Sequence, residues 1–115
     1  MYDKSIKKVT RGNIYSKIPN AKNKEIFQTL AENKKLKIER IVSQGQVTDK
    51  GKWLKEAHDE WVIILRGAGK IRFRSANRLI KLKAGDYLLI PKNTFHRVEW
   101  TPPKEKTVWL AVHNR

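Results

Sequence analysis

The sequence predicts an all-β sandwich or barrel carrying one short N-terminal helix. Three observations point there. From Leu36 onward, apolar residues either alternate with polar ones or fill short continuous runs. Glycine and proline punctuate those runs, at Gly45, Gly51, Gly67, Gly69, Gly85, Pro91 and the pair Pro102-Pro103. No segment after Leu36 has the spacing of a crossover helix, which argues against a doubly wound α/β arrangement.

The first 20 residues are polar and broken by Gly12 and Pro19, so an arm is expected, with short strand pieces possible at Ile6–Val9 or Asn13–Tyr15. Lys24–Asn33 reads as the helix: Ile26, Phe27 and Leu30 share a face at helical spacing, and Asn23 suits the cap. Residues 1–35 are thus expected to pack as arm and helix on a barrel formed by residues 36–115.

Leu36 begins a strand with Leu36, Ile38, Arg40 and Val42 on one face and Lys37, Glu39 and Ile41 on the other. If the first face lines the core, the Arg40 guanidinium needs a carboxylate or an anionic ligand. Trp61–Leu65 is apolar on both sides, as in a strand covered on both faces within an oligomer. Lys70–Arg74 and Arg78–Lys83 alternate cleanly and form a hairpin. Tyr87–Ile90, Phe95–Trp100 and Thr107–His113 complete the set, the last again apolar on both sides.

Composition sets limits. A chain of 115 residues holds one domain, burying about 65% of its unfolded surface. Its 39% hydrophobic content is modest, so a homodimer is expected. The absence of cysteine excludes disulfides, thiolate metal sites and cysteine nucleophiles. The first residues lack the apolar core of a signal peptide, and no window has transmembrane length, so a cytoplasmic location off the membrane is expected.

Lysine and arginine number 26 against 11 acids, a formal charge of +15 that attracts anionic partners. Lys70, Arg72, Arg74, Lys81 and Lys83 form a basic stripe on the hairpin that could meet nucleic-acid phosphates. The stripe lacks interleaved aromatics, so a solvated face is the plainer reading.

Chemistry concentrates in two places. Leu54, Glu56, His58 and Glu60 share parity, so an unbroken strand would align them on one face. His96 opens another strand. If these meet across a barrel, Glu56, Glu60, His96 and His58 could hold a divalent ion, since imidazole nitrogen and carboxylate oxygen suit a borderline metal. A solvated turn at 56–59 and a core histidine at 96 are the alternative.

These stretches resemble the paired motifs of the cupin superfamily. The first family motif runs glycine, five residues, His-x-His, three or four residues, glutamate, six residues, glycine. This chain keeps Glu60 and Gly67 at that spacing. The second runs glycine, five residues, proline, any residue, glycine, two residues, histidine, three residues, asparagine. Gly85, Pro91 and His96 fall in place, with Asn93 where the second glycine usually lies and Trp100 in place of the asparagine. Ile38–Ser43, Asp59–Val62 and Thr107–His113 are similar to small single-domain bacterial cupins of unassigned function, and the resemblance covers residues 36–113.

The resemblance implies a jelly-roll barrel, or double-stranded β-helix, with a metal in its interior. It also implies a departure. The two motif-one histidines fall at Leu54 and Glu56, or at Trp53 and Lys55, and neither alignment supplies a histidine. What it leaves is a degenerate set of Glu56, Glu60 and His96, with His58 as fourth ligand or proton carrier. Iron, zinc, nickel and manganese all remain compatible. Arg40, if inward, would grip an anionic metabolite, and Tyr87, Phe95 and Trp100 are candidate walls. A metal-dependent enzyme and a non-catalytic binder of a sugar or organic acid both stay open.

Overall fold

A computed structural model describes residues 9–115. Eight antiparallel strands follow one another: β1 (Ile26–Glu32), β2 (Leu36–Ser43), β3 (Asp59–Arg66), β4 (Ala68–Phe73), β5 (Arg78–Lys83), β6 (Tyr87–Ile90), β7 (His96–Trp100) and β8 (Thr107–Asn114). They form a five-stranded sheet in the order β1-β2-β8-β3-β6 and a three-stranded sheet in the order β5-β4-β7. The inner faces enclose an apolar core of Val62, Ile64, Ile71, Leu82, Ile90 and Trp109. Among the described residues, the helical structure is a short 3-10 turn at Ser75–Asn77, and no helix is long and apolar enough to cross a membrane.

The helix expected at Lys24–Asn33 is instead β1, hydrogen-bonded along β2. A bulge explains the misreading. Ile26 pairs with Val42 on the outer side and Phe27 with Ile41 on the inner, and the register shifts between Thr29 and Ala31, so the alternation also breaks at Leu30 and the three apolar residues mimic helical spacing. Pairing decides the outcome, because β2 would otherwise leave its backbone donors and acceptors open along one edge. Asn13–Tyr15 is a turn rather than a strand: the Ser16 amide donates to Asn13 O at 2.9 Å and the Tyr15 amide to Asn13 Oδ1 at 2.8 Å. Ile6–Val9 lies, apart from Val9, outside the described residues.

The two faces of β2 are used differently from the first expectation. Glu39 and Ile41 face the barrel interior, while Ile38, Arg40 and Val42 lie on the outer side of the sheet. The outer side is not all solvent, which is why Arg40 is buried. Its guanidinium donates to Gln28 Oε1 at 2.8 Å, Ile14 O at 2.9 Å, Ser16 O at 2.8 Å and Lys17 O at 3.3 Å. Arg40 thus fastens the N-terminal arm across the outside of β2, with no carboxylate partner among the described residues. Val42 and its register partner Val108 are fully buried beyond it, as is Ala21 of the arm.

One sheet-switching point is tight. β3 ends at Arg66 and β4 begins at Ala68 in the other sheet, so Gly67 carries the whole change of direction. It sits at φ +85, and a Cβ there would lie 2.7 Å from Lys106 O and 2.8 Å from Thr107 Oγ1.

Candidate functional site

The barrel encloses a cavity of about 250 Å³. Apolar side chains make most of its wall, among them Phe27, Ile41, Leu54, Val98 and Trp109. The polar lining is Glu25, Glu39, Glu56, Glu60, His96 and His113, with no lysine or arginine from the described residues. A cavity rich in carboxylates inside a chain of +15 charge is a local reversal of sign.

β3 places Glu60 and β7 places His96. Leu54 forms a backbone bridge to His96, its amide donating to His96 O at 2.7 Å and its carbonyl accepting from the His96 amide at 3.0 Å. That bridge holds the 51–58 loop over the cavity, and the Asn93 amide donating to Glu56 O at 2.7 Å holds it further along. The expected common face of Leu54, Glu56, His58 and Glu60 does not form, because β3 begins only at Asp59. Leu54, Glu56 and Glu60 still line the cavity by separate routes, and His58 turns to a different neighbour.

His96 is buried, and its Nδ1 lies 2.8 Å from Thr94 O. A carbonyl only accepts, so Nδ1 carries the proton, and a neutral ring keeps its lone pair on Nε2. That lone pair faces Glu60 Oε1 at 4.0 Å, too far for a hydrogen bond between them, so both atoms can meet a ligand atom set to one side at hydrogen-bond distance from each. Burial pushes the Glu60 carboxyl above its ordinary value; His113 and His96 oppose this, and Glu56 and Glu39 add to it. Glu25 is likewise raised by burial, with its hydrogen bond from Ser43 opposing and Glu39 adding.

His113 and Glu39 belong to the same cluster. His113 Nε2 lies 2.9 Å from Glu39 Oε1 and 3.9 Å from Glu60 Oε2, while His113 Nδ1 lies 3.0 Å from His58 Nε2. With Nε2–H donated to the buried Glu39 carboxylate, Nδ1 of a neutral His113 accepts from His58. All three histidines of the chain therefore stand in or beside this cluster.

The other expected site residues lie elsewhere. Arg40 is on the far side of β2. Tyr87 is exposed on the outer face of the large sheet, Trp100 lies under Lys70 at 5.0 Å, and Phe95 lies between Arg74 at 3.7 Å and Lys55 at 4.9 Å. None of the three walls the cavity. The basic stripe is partly occupied: Arg72 pairs with Glu99 at 3.4 Å and Lys83 with Asp86 at 3.3 Å. Glu39, His113 and Glu25 were not expected. For His113 the signal was parity with Trp109 and Ala111 on β8; for Glu39 it was parity with Ile41; Glu25 had none.

His96 Nε2 and Glu60 suit two positions of a coordination sphere, and Glu56 lines the same cavity. Yet among the described residues no three His, Asp or Glu side chains stand close enough together to hold an ion. As placed, they do not complete a metal site.

Glu60 should cost stability at neutral pH. Its folded carboxyl titrates above the unfolded one, so the native state binds more protons between the two values and stability falls as pH rises through that window. In metal-stripped protein, Glu60→Gln is expected to raise the midpoint of thermal unfolding at pH 7 by about 2–5 °C. The gain should shrink toward zero near the ordinary glutamate value. A loss of stability at pH 7 would contradict this.

A model of the cupin domain family matches residues 41–113. A crystal structure from Ralstonia eutropha JMP134, of a protein provisionally named a mannose-6-phosphate isomerase, is 42% identical; the match covers 92% of this chain and 98% of that one, with a TM-score of 0.88. A cupin superfamily protein from Desulfitobacterium hafniense DCB-2 is 20% identical over 84% of this chain and 83% of its own, with a TM-score of 0.71. A conserved Streptococcus pyogenes protein of unknown function is 17% identical over 100% and 95%, with a TM-score of 0.73. The last two show the fold alone. None of the curated proteins matches the chain.

Proposed function

The chain belongs to the cupin superfamily, and from that premise we propose that it binds a small polyhydroxylated molecule inside the barrel, at Glu60, His96 and His113. One observation carries this reading: the free lone pair of His96 faces the raised carboxyl of Glu60 across a gap of 4.0 Å, inside a cavity with largely apolar walls. Apolar walls with a few convergent polar groups suit a small ligand. Sugar hydroxyls both donate and accept, which matches carboxylate and imidazole together.

The 42% identical protein is provisionally named a mannose-6-phosphate isomerase, so a sugar phosphate is the first ligand to try. A carboxyl and a neutral imidazole facing one another are also what moving a proton between adjacent sugar carbons requires. An anionic group fits the carboxylate-lined interior poorly. Lys52, which lines the groove continuing from the cavity mouth, would receive it.

A divalent ion is the second reading, favoured by the same free Nε2 of His96. Glu56, Glu60 and His96, with His58 beside them, are the side chains that would hold iron, zinc, nickel or manganese, and they would have to stand closer together than they do here. Bound there, the ion would act as a Lewis acid and carry an anionic ligand into the interior. Nucleic acid is the weaker reading, because Arg72 and Lys83 already have acidic partners. The cytoplasm is the place of work that goes with a small metabolite.

Calorimetry on the metal-stripped protein tests this, with D-mannose 6-phosphate and D-mannose, each repeated with the four ions. Binding without ion is the expected result. Binding of the phosphate only with an ion would favour the second reading. Failure of both sugars under every condition would contradict the proposal.

A further inference from the structure

The cavity is unbalanced in its hydrogen-bonding groups. The lining side chains that carry N–H donors are His96, His113 and Trp109. Each of those donors is already spent. His96 Nδ1–H goes to Thr94 O, His113 Nε2–H to Glu39 Oε1, and Trp109 Nε1–H to Ser43 Oγ at 3.2 Å. The fully buried Ser43 hydroxyl donates in turn to Glu25.

Acceptors are what stays open. His96 is 5% exposed, and its Nε2 lone pair has no hydrogen-bond partner among the described residues. The Glu60 carboxylate has none either: His113 lies 3.9 Å from one oxygen and His96 4.0 Å from the other.

Taking Glu60, His96 and His113 as the ligand site, we propose that the ligand is an amino sugar, a polyhydroxylated molecule whose primary ammonium is held between Glu60 Oε1 and His96 Nε2. A hydroxyl has one proton, so it meets the carboxylate or the imidazole and leaves the other open. Water offers two donors but no charge to set against the carboxylates. A primary ammonium brings three N–H donors and no lone pair of its own to satisfy.

Geometry suits it. An atom about 2.8–2.9 Å from both acceptors sees them at an angle of about 90°, because they stand 4.0 Å apart. Two N–H bonds of one tetrahedral nitrogen reach both with a bend of about 10° each, well inside the range of good hydrogen bonds. Charge suits it too. Glu25, Glu39, Glu56 and Glu60 line the cavity, with no lysine or arginine from the described residues. A carboxylate among apolar walls is stabilised by an opposite charge that also donates to it. Ile41, Val62 and Val98 leave an apolar wall for the carbon skeleton.

Titration calorimetry on the metal-stripped whole chain tests the inference, comparing D-mannose with its 2-amino, 3-amino and 6-amino deoxy analogues. At least one amino sugar is expected to bind about 10–100-fold tighter than D-mannose, the worth of an added charged hydrogen bond. Glu60→Gln keeps the shape of the side chain without its charge, and should cut that advantage to about threefold or less. D-mannose binding as tightly as every amino sugar would overturn the inference while the ligand site itself stood. An advantage that survives Glu60→Gln, or that appears only with an added divalent ion, would also overturn it, because the amine would then sit elsewhere. If no sugar binds, the ligand site falls together with the inference.

Discussion

Gly67→Ala is expected to destabilise the protein by about 3–5 kcal/mol, most of the stability of a marginal domain. Two costs add. At φ +85 an L-residue is in the left-handed region, at about 1–2 kcal/mol. The new Cβ would also lie 2.7 Å from Lys106 O and 2.9 Å from Thr107 Cα, both backbone atoms at the start of β8. They cannot yield freely, because Thr107 Oγ1 donates to Ala68 O at 2.8 Å and so ties β8 to the start of β4. Relief would open the point where the chain passes from one sheet to the other. The unfolding midpoint should fall by about 10–20 °C. Gly85→Ala is the internal standard: its φ is +93, but open space surrounds the missing Cβ, so only the backbone cost applies. Equal losses in the two variants would contradict the steric part.

The second large effect concerns binding. His96→Asn is expected to weaken ligand affinity about 10–100-fold, the worth of a hydrogen bond to a charged or strongly polar partner. Asparagine can place its amide where Nδ1–H now donates to Thr94 O, so the loop stays held while the lone pair in the cavity disappears. His96→Gln reaches further and should restore part of the loss. Titration calorimetry with the sugar that binds wild type reads both. A large fall in thermal stability with affinity unchanged would make His96 a structural residue only.

How much of this was legible in the sequence depended on the element. The strands β4, β5 and β7 announce themselves by alternation, and β3 and β8 by apolar runs between glycine and proline turns. β1 was hidden, because Ile26 and Phe27 are apolar on opposite faces and a bulge at Leu30 breaks what alternation is left, which together come close to a helical period. Arg40 shows a different limit. Alternation separates the two faces of β2 but does not say which one closes the barrel. The non-periodic arm covers the outer face, so a buried side chain there need not be a core side chain. Glu60 and His96 came from motif spacing and do meet across the cavity. Glu39 and His113 were missed although each shares parity with an interior neighbour, Ile41 and Trp109. Charge on one and a terminal position on the other argued for solvent, and their pairing at 2.9 Å across β2 and β8 needs the strand order to be known.

The most direct measurement is nitrogen NMR of the imidazole rings, practical because the chain has three histidines, all near the site. Without ligand, His96 is expected as the Nδ1–H tautomer with an unprotonated Nε2, and His113 coupled to His58. Adding D-mannose 6-phosphate should shift His96 Nε2 most, His113 next and His58 least. Three imidazoles unmoved at saturating sugar, while backbone signals elsewhere respond, would place the ligand outside the barrel and contradict the assignment of this cluster.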